Sequence, residues 1–255
     1  MYIGIDIGGT HTRIAGSPSL KNIKLVRKKI ISTPKFFEEG IFEIITAIRE
    51  ITNKPKGIGI GVAGRTTEDG KEFTHSINLS TWTNKPIIKT VEKEFGCFAY
   101  IENDAVSQSY AEAFYGAKLA TNFLYLVWGT GVGGALVSET KGKIQSTKLG
   151  RLYLDKWERK FGGKHLEKRF GKTAKYLEEK EWAIVLSEFK VATQDLSNQL
   201  KVDSIVVSGG IVDKQKDRIS KITTSILSPK ILLSKLGEDI GVYGGLALIK
   251  AKTQE

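Results

Sequence analysis

Cysteine is almost missing from this chain. Cys97 stands alone among 255 residues, which excludes an internal disulfide and a cysteine-rich zinc cluster. The three histidines, His11, His75 and His165, lie far apart in sequence and suggest no metal cluster. A reducing, cytoplasmic setting is the expectation. Proline is scarce, at 5, and no proline-rich or low-complexity linker divides the chain. A basic leader with a small-residue cleavage site is absent before Tyr2-Ile3-Gly4-Ile5-Asp6-Ile7, so no secretory signal is expected. The uncharged run from Leu119 to Ser138 is interrupted by Gly129, Gly131, Gly133 and Gly134 and by polar Asn122 and Thr130. It reads as two buried strands joined by a turn, and no membrane span is expected.

What is present is ordinary globular material, 40% hydrophobic and 26% charged, long enough for one large domain or two modest ones. Basic residues exceed acidic ones by 39 to 28, a net charge of +11. That balance suits a solvated lysine-rich surface, and it also admits acidic partners: nucleic acid, an anionic membrane or a polyphosphorylated substrate. Trp82, Trp128, Trp157 and Trp182 are scattered rather than interleaved with the basic runs, and no zinc-finger or RNP signature is visible. No specific nucleic-acid partner is therefore expected. Glycine is plentiful, at 27, and supplies turns in which backbone can approach a ligand closely.

Apolar alternation predicts a strand over Tyr2–Ile7, a glycine turn at Gly8-Gly9-Thr10-His11, and a returning strand over Arg13–Gly16. Further strands are predicted over Lys24–Ile31, Gly57–Val62 and Phe98–Ile101, with helices over Phe37–Ile51, Lys85–Phe95 and about Ala105–Tyr115. The opening pattern then recurs: strand Phe123–Trp128, turn Gly129-Thr130-Gly131, strand Val132–Val137. Helical material from Lys156 to about Leu200, a strand at Ser204–Val207, the turn Ser208-Gly209-Gly210 and a helix over about Val242–Lys252 complete the chain. Alternating strands and helices indicate an α/β protein, and the repeated opening indicates a duplicated one.

Three glycine turns could present backbone amides to an anion: Gly8-Gly9-Thr10-His11-Thr12, Gly129-Thr130-Gly131 and Ser208-Gly209-Gly210. Each is equally readable as a tight turn, and none fits the Walker pattern, because no lysine follows at the required spacing. Asp6, at the end of the first strand, suits either a magnesium ion held through water or the amides of its own loop. Asp104, between a strand and a helix, suits either a helix cap or a general base accepting the proton of an attacking hydroxyl.

Taken together, Ile3-Gly4-Ile5-Asp6-Ile7-Gly8-Gly9-Thr10, Gly59-Ile60-Gly61-Val62-Ala63-Gly64, Glu102-Asn103-Asp104-Ala105, Gly129-Thr130-Gly131-Val132-Gly133-Gly134 and Ser208-Gly209-Gly210 have the order and spacing of the ROK sugar kinases. Asn78-Leu79 with Trp82, and Gly241-Val242-Tyr243-Gly244-Gly245, extend the resemblance nearly end to end. The resemblance implies a duplicated actin-like (hexokinase-like, ribonuclease H-like) fold with two domains around a cleft. The domains expected are residues 1–107 with 241–255, and residues 108–240. It also implies an enzyme that transfers the γ-phosphoryl group of ATP, with Mg2+, to a sugar hydroxyl, working as a cytoplasmic homodimer. Carried over by position, Asp104 resembles the catalytic base, Asn103 and Asn78 the partners of sugar hydroxyls, and Gly64 a backbone contact to the sugar. Asp6, Gly8, Gly9, Thr10 and Thr12 would serve the metal and phosphates, with Asp6 reaching Mg2+ through water. Thr130, Gly131, Gly209 and Gly210 would line the nucleotide.

Two departures stand out. The cysteine-histidine zinc motif that commonly follows the second glycine turn is absent, so no structural zinc is expected. Where many members have Glu-x-Gly-His facing the sugar, this chain reads Lys148-Leu149-Gly150-Arg151, which suits an acidic or phosphorylated sugar better than glucose. Short length and missing cysteines are also similar to polyphosphate glucokinases, so the donor stays open between ATP and polyphosphate. A catalytically inactive sugar- or nucleotide-binding homologue is a further alternative. Sugar-responsive regulators of the family add a helix-turn-helix before the first strand, whereas here that strand begins at Tyr2.

Overall fold

Isoleucines at every second position turn one face of the first strand, β1 (Tyr2–Ile7), into core: Ile3, Ile5 and Ile7 are all fully buried. The computed structural model describes residues 1–116, 122–223 and 229–253, without the side chains of Arg151, Leu152, Ile222 and Thr223. β1 pairs antiparallel with β2 (His11–Ser17), which pairs antiparallel with β3 (Val26–Ser32). Helix α1 (Phe37–Ile51) leads to β4 (Gly57–Val62), which lies parallel to β1. In α1, Phe37, Ile41, Ile44, Ile48 and Ile51 form the buried stripe, with Glu38 and Glu39 in its first turn and Arg49 in its last, each matched to the helix dipole. A short hairpin, β5 (Arg65–Thr66) and β6 (Phe73–His75), precedes α2 (Ile87–Phe95). Then β7 (Phe98–Asn103) pairs parallel with β4 and runs straight into α3 (Asp104–Tyr115). The strand order is β3-β2-β1-β4-β7.

The second sheet repeats this topology. β8 (Asn122–Trp128), β9 (Val132–Thr140) and β10 (Lys143–Lys148) form an antiparallel meander. Helices α4 (Arg151–Phe161), α5 (Gly163–Phe170) and α6 (Glu179–Leu200) follow. β11 (Ser204–Ser208) then pairs parallel with β8, and after α7 (Gly210–Lys214) and α8 (Lys216–Thr223), β12 (Lys230–Leu233) pairs parallel with β11. The order β10-β9-β8-β11-β12 matches the first sheet strand for strand. The last helix, α9 (Ile240–Thr253), belongs with the first sheet. Compact unit one is Met1–Tyr115 with Glu238–Glu255, and unit two is Gly116–Gly237.

Each unit has its own core. In the first, the isoleucines of β1 and β4 meet α1 and Trp82. In the second, Trp128 stacks on Phe189 with ring centroids 4.6 Å apart, meets Phe161 and Trp182 edge-on, and donates its indole N–H to the Phe161 carbonyl at 2.7 Å. All four tryptophans are buried and serve as core. The glycine-interrupted run lies in β8 and β9 over its described part, and no helix among the described residues is long and apolar enough to cross a membrane.

Candidate functional site

The carboxyl end of β1 and the β1–β2 turn form one half of the site in unit one. Gly8 N–H donates to the His11 carbonyl at 3.0 Å, closing a tight hairpin that leaves Gly9 and Thr10 exposed at its tip. Thr33 braces the turn from β3's end: its N–H reaches the Thr10 carbonyl at 2.9 Å, its hydroxyl donates to the Gly8 carbonyl at 2.8 Å, and its oxygen lies 2.9 Å from the Thr12 hydroxyl. Thr12 is 1% exposed and is paired with Ile7 across the hairpin, so it faces the core and holds the loop from within; it offers no donor at the tip. That corrects the expectation that its hydroxyl would serve phosphates. Against Gly9 lies Asn78, whose Cβ is 2.9 Å from where a Gly9 side chain would begin.

The β7–α3 junction supplies the other half. Asn103, 4% exposed, donates one Nδ2 proton to the Gly64 carbonyl and the other to Asp104 Oδ1, both at 2.8 Å. Its own Oδ1 accepts the Ala105 N–H at 3.2 Å. Both donors of Asn103 are thereby committed within the protein, and its geometry is that of a tie between Gly64 and Asp104. Asp104 Oδ1 also accepts the Ala105 N–H at 2.9 Å, and the positive end of the α3 dipole lies at this carboxylate. Upstream, Glu102 accepts from the Asn103 N–H and the Thr66 hydroxyl, each at 2.7 Å, and Ser76 ties the Asn78 loop to the Ala63 carbonyl at 2.7 Å.

The two halves meet electrostatically at Asp6. Its side chain is only 17% exposed, and burial first, then the negative charge of Asp104, push its pKa from 3.8 up to about 7, against the opposing pull of Arg13. The carboxyl group sits against the start of α9, where a Cβ on Gly241 would lie 2.3 Å from Asp6 Cγ; only glycine leaves that space. A buried carboxylate near a second one, short of positive charge, is a donor set that fits a hard dication completing its shell with water and phosphate oxygens.

In unit two, the remaining glycines also come together. The Gly129-Thr130-Gly131 turn closes through Gly129 N–H to the Gly131 carbonyl at 3.0 Å and is held by the α4–α5 junction, with Gly163 N–H on the Gly129 carbonyl at 2.9 Å and Lys164 N–H on the Thr130 carbonyl at 3.1 Å. Gly209 adopts φ +107°, and a side chain there would meet the Trp128 carbonyl oxygen at 2.6 Å, so both conformation and space require glycine. Gly210 and Thr130 are exposed. Lys148 is exposed at the end of β10, and Arg151 opens α4 with its side chain outside the described part of the structure; both belong to unit two.

Thr33 and Arg13 lie outside the quoted motifs, and Glu102 and Gly241, though inside them, were given no role there. Arg13 had a readable signal: a two-residue turn after Gly8 places it directly across from Asp6.

Two sheets of identical strand order, each opened by a strand–glycine turn–strand hairpin, define an actin-like, hexokinase-like α/β fold. Residues 2–151 match the ROK family, and the chain belongs to it. It is 29% identical over 144 residues to the glucokinase of Streptomyces coelicolor, covering 55% of this chain and 44% of that one. It is 32% identical over 157 residues to the N-acetyl-D-glucosamine kinase of Histophilus somni, covering 59% and 49%. The chain thus spans about half the length of these curated relatives. Among solved structures, the inorganic polyphosphate/ATP-glucomannokinase of Arthrobacter sp. strain KM shares the fold at a TM-score of 0.75 and 22% identity, covering 100% of this chain and 99% of that one.

Proposed function

We propose that this chain is a sugar kinase that uses ATP with Mg2+ and has Asp104 as general base. The observation that carries the reading is the Gly64–Asn103–Asp104 tie, which fixes one carboxylate oxygen of Asp104 within a site whose other carboxylate, Asp6, is short of positive charge. Phosphoryl transfer asks the protein for positioning, charge neutralisation and an oriented hydroxyl, not for a covalent intermediate. Asp104 accepts the hydroxyl proton, Asn103 sets its orientation, and Asn78 and the Gly64 backbone hold the sugar. Bound Mg2+ supplies charge neutralisation beside the donor phosphates, with Asp6 holding it through water and the Gly8-Gly9-Thr10 amides facing the phosphates. Thr130, Gly131, Gly209 and Gly210 line the nucleotide.

A polyphosphate donor is the second reading, favoured by the net charge of +11 and by the name of the Arthrobacter neighbour. Calorimetry separates the two donors. Magnesium-dependent binding of ATP is expected at moderate salt; polyphosphate binding without nucleotide binding would transfer the donor role to polyphosphate. A sugar panel assayed with each donor separately tests the activity itself, and silence across the panel with both donors would leave a binder.

The sugar is proposed to be acidic or already phosphorylated. Lysine and arginine only donate hydrogen bonds, whereas a carboxylate accepts them from neutral sugar hydroxyls, so Lys148 and Arg151 remove an acceptor and add cations. Losing one such bond costs about 1–3 kcal/mol, roughly five- to a hundredfold in efficiency. Catalytic efficiency on glucose should therefore rise by at least about tenfold in the double variant Lys148→Glu, Arg151→His, while efficiency on an acidic sugar falls. Efficient glucose phosphorylation by the parent, unchanged in the double variant, would show that these positions do not set specificity.

A further inference from the structure

Three residues that follow β3, Thr33-Pro34-Lys35, tie the first glycine turn to the loop that carries Asn78. Thr33 takes two carbonyls of the turn, Thr10 through its N–H at 2.9 Å and Gly8 through its hydroxyl at 2.8 Å. That hydroxyl has a single proton, so its 2.9 Å contact with Thr12 runs the other way, from the buried Thr12 hydroxyl to the Thr33 oxygen. At the strap's other end the Pro34 carbonyl accepts the indole N–H of Trp82 at 3.2 Å, and the Lys35 carbonyl accepts the Thr81 hydroxyl. Trp82 is fully buried and meets Phe37 edge-on at 5.7 Å, so the strap is anchored in the core.

In a trans peptide the C=O of one residue and the N–H of the next point in opposite directions. With the Gly8 carbonyl drawn to Thr33, the Gly9 N–H must point away from the strap. The carbonyls of Ile7 and His11 are also spent, on the N–H groups of Ala63 and Gly8 at 3.2 and 3.0 Å. Among the described residues nothing accepts a hydrogen bond from the N–H of Gly9 or Thr10. The turn therefore has carbonyls pulled inward and two amides left over, the polarity that suits an anion. Nothing within the Gly8-Gly9 pair enforces that polarity, because glycine tolerates both orientations of the peptide between them. An outside clamp is needed, and the Thr33 hydroxyl is the group bonded to that peptide's oxygen.

We propose that Thr33 is a positioning residue for the phosphoryl donor: its hydroxyl locks the Gly8–Gly9 peptide in the orientation that offers the Gly9 N–H to a donor phosphate oxygen. The proposal rests on the reading of this turn as the donor-phosphate site. Thr33 itself touches no phosphate; it acts through the peptide it holds. The rest of the strap keeps that peptide in register with the Asn78 loop, which already lies against Gly9.

The test compares the parent with Thr33→Val and Thr33→Ser by calorimetry with Mg2+ and whichever donor the parent binds, ATP or polyphosphate. Valine keeps the shape and the backbone N–H on Thr10 but deletes the hydroxyl, whereas serine keeps the hydroxyl. Thr33→Val should bind the donor at least about tenfold more weakly, within the range for one lost hydrogen bond, and Thr33→Ser should stay within about threefold of the parent. In the kinase assay the donor KM of Thr33→Val should rise by the same factor while the sugar KM stays within about threefold, because the displaced amide faces the donor alone. Thr33→Val should also melt lower, since the buried Thr12 hydroxyl loses its acceptor. Lower melting with donor affinity within about threefold of the parent would make Thr33 structural and overturn the proposal, and so would a Thr33→Ser variant as weak as Thr33→Val. Thr33→Ala removes the same hydroxyl and replaces Thr33→Val in every comparison if that variant does not fold. A parent that binds neither donor defeats the donor-site reading, and this inference with it. A parent that binds its donor no better than Thr33→Val defeats the inference alone.

Discussion

Asp104→Asn should lower turnover at least about a hundredfold, equivalent to roughly 2.7 kcal/mol of transition-state stabilisation, with almost no change in thermal stability. The structure explains why the two effects separate. Asn103 Nδ2 and the Ala105 N–H both donate to one oxygen of Asp104, Oδ1, and asparagine retains a carbonyl oxygen that can accept both. What disappears is the second carboxylate oxygen, and with it the capacity to take a proton. Asp104→Ala provides the contrast, because it strands the Asn103 amide at a 4%-exposed position and should add about 1–3 kcal/mol of destabilisation to the same catalytic loss. Paired measurements of kcat and thermal melting decide. Undiminished turnover in Asp104→Asn, or a collapse of its fold, would show that the carboxylate serves structure at the head of α3 and not proton transfer.

At Asp6 the larger effect is on stability, with a sign opposite to that of most carboxylates. A carboxyl group whose pKa is raised on folding, from 3.8 to about 7, binds its proton more tightly in the folded state. Its contribution is fully present below pH 4 and is lost as the pH rises through about 7. The full difference amounts to roughly 4 kcal/mol by alkaline pH, with burial the main cause and the charge of Asp104 the second. Asparagine carries no charge at any pH. Asp6→Asn should therefore match the parent below pH 4, exceed it increasingly as the pH rises from about 4 to 7, and hold a constant advantage above neutrality, when both are unfolded with urea in the presence of a chelator. Mg2+ should raise the melting temperature of the parent at pH 8 and leave that of the variant unchanged, because a dication compensates the charge that burial disfavours. The variant should also lose phosphoryl transfer, a stable protein obtained at the expense of its site. Parallel pH–stability curves for the two proteins would show that Asp6 is not the strained group.

Much of this molecule is visible from its amino acids alone, wherever the local pattern coincides with the surface it must bury. The alternation in Tyr2–Ile7 and Gly57–Val62 and the stripe Phe37, Ile41, Ile44, Ile45, Ile48 and Ile51, all but Ile45 buried, declare strands and helix where the structure shows them, since each element's apolar face is written at its own period. Asp6 and Asp104 were legible as polar residues at strand ends, but local sequence left each with an ordinary use, loop-amide acceptor or helix cap, and only the resemblance singled them out. The edge strand Lys143–Lys148 was not, because a solvent-facing strand carries polar residues and no apolar signature; the turn that makes it, Lys141-Gly142, shows itself through positive φ values of 53° and 77°. The short strands Arg65–Thr66 and Phe73–His75 escaped for want of length. Tertiary structure alone decided which polar residues could face a ligand. Hairpin register turned Thr12 inward beside Ile7 and brought Arg13 to Asp6, while the meeting of Gly64 with the β7–α3 junction committed both amide protons of Asn103 to the protein. The closing helix placed Gly241 against Asp6 across more than two hundred residues of sequence, and no local pattern encodes that burial. Sequence set the chemical groups and the strands that carry them. Register and long-range packing, which depend on pairs of segments together, set their exposure, their partners and their charge.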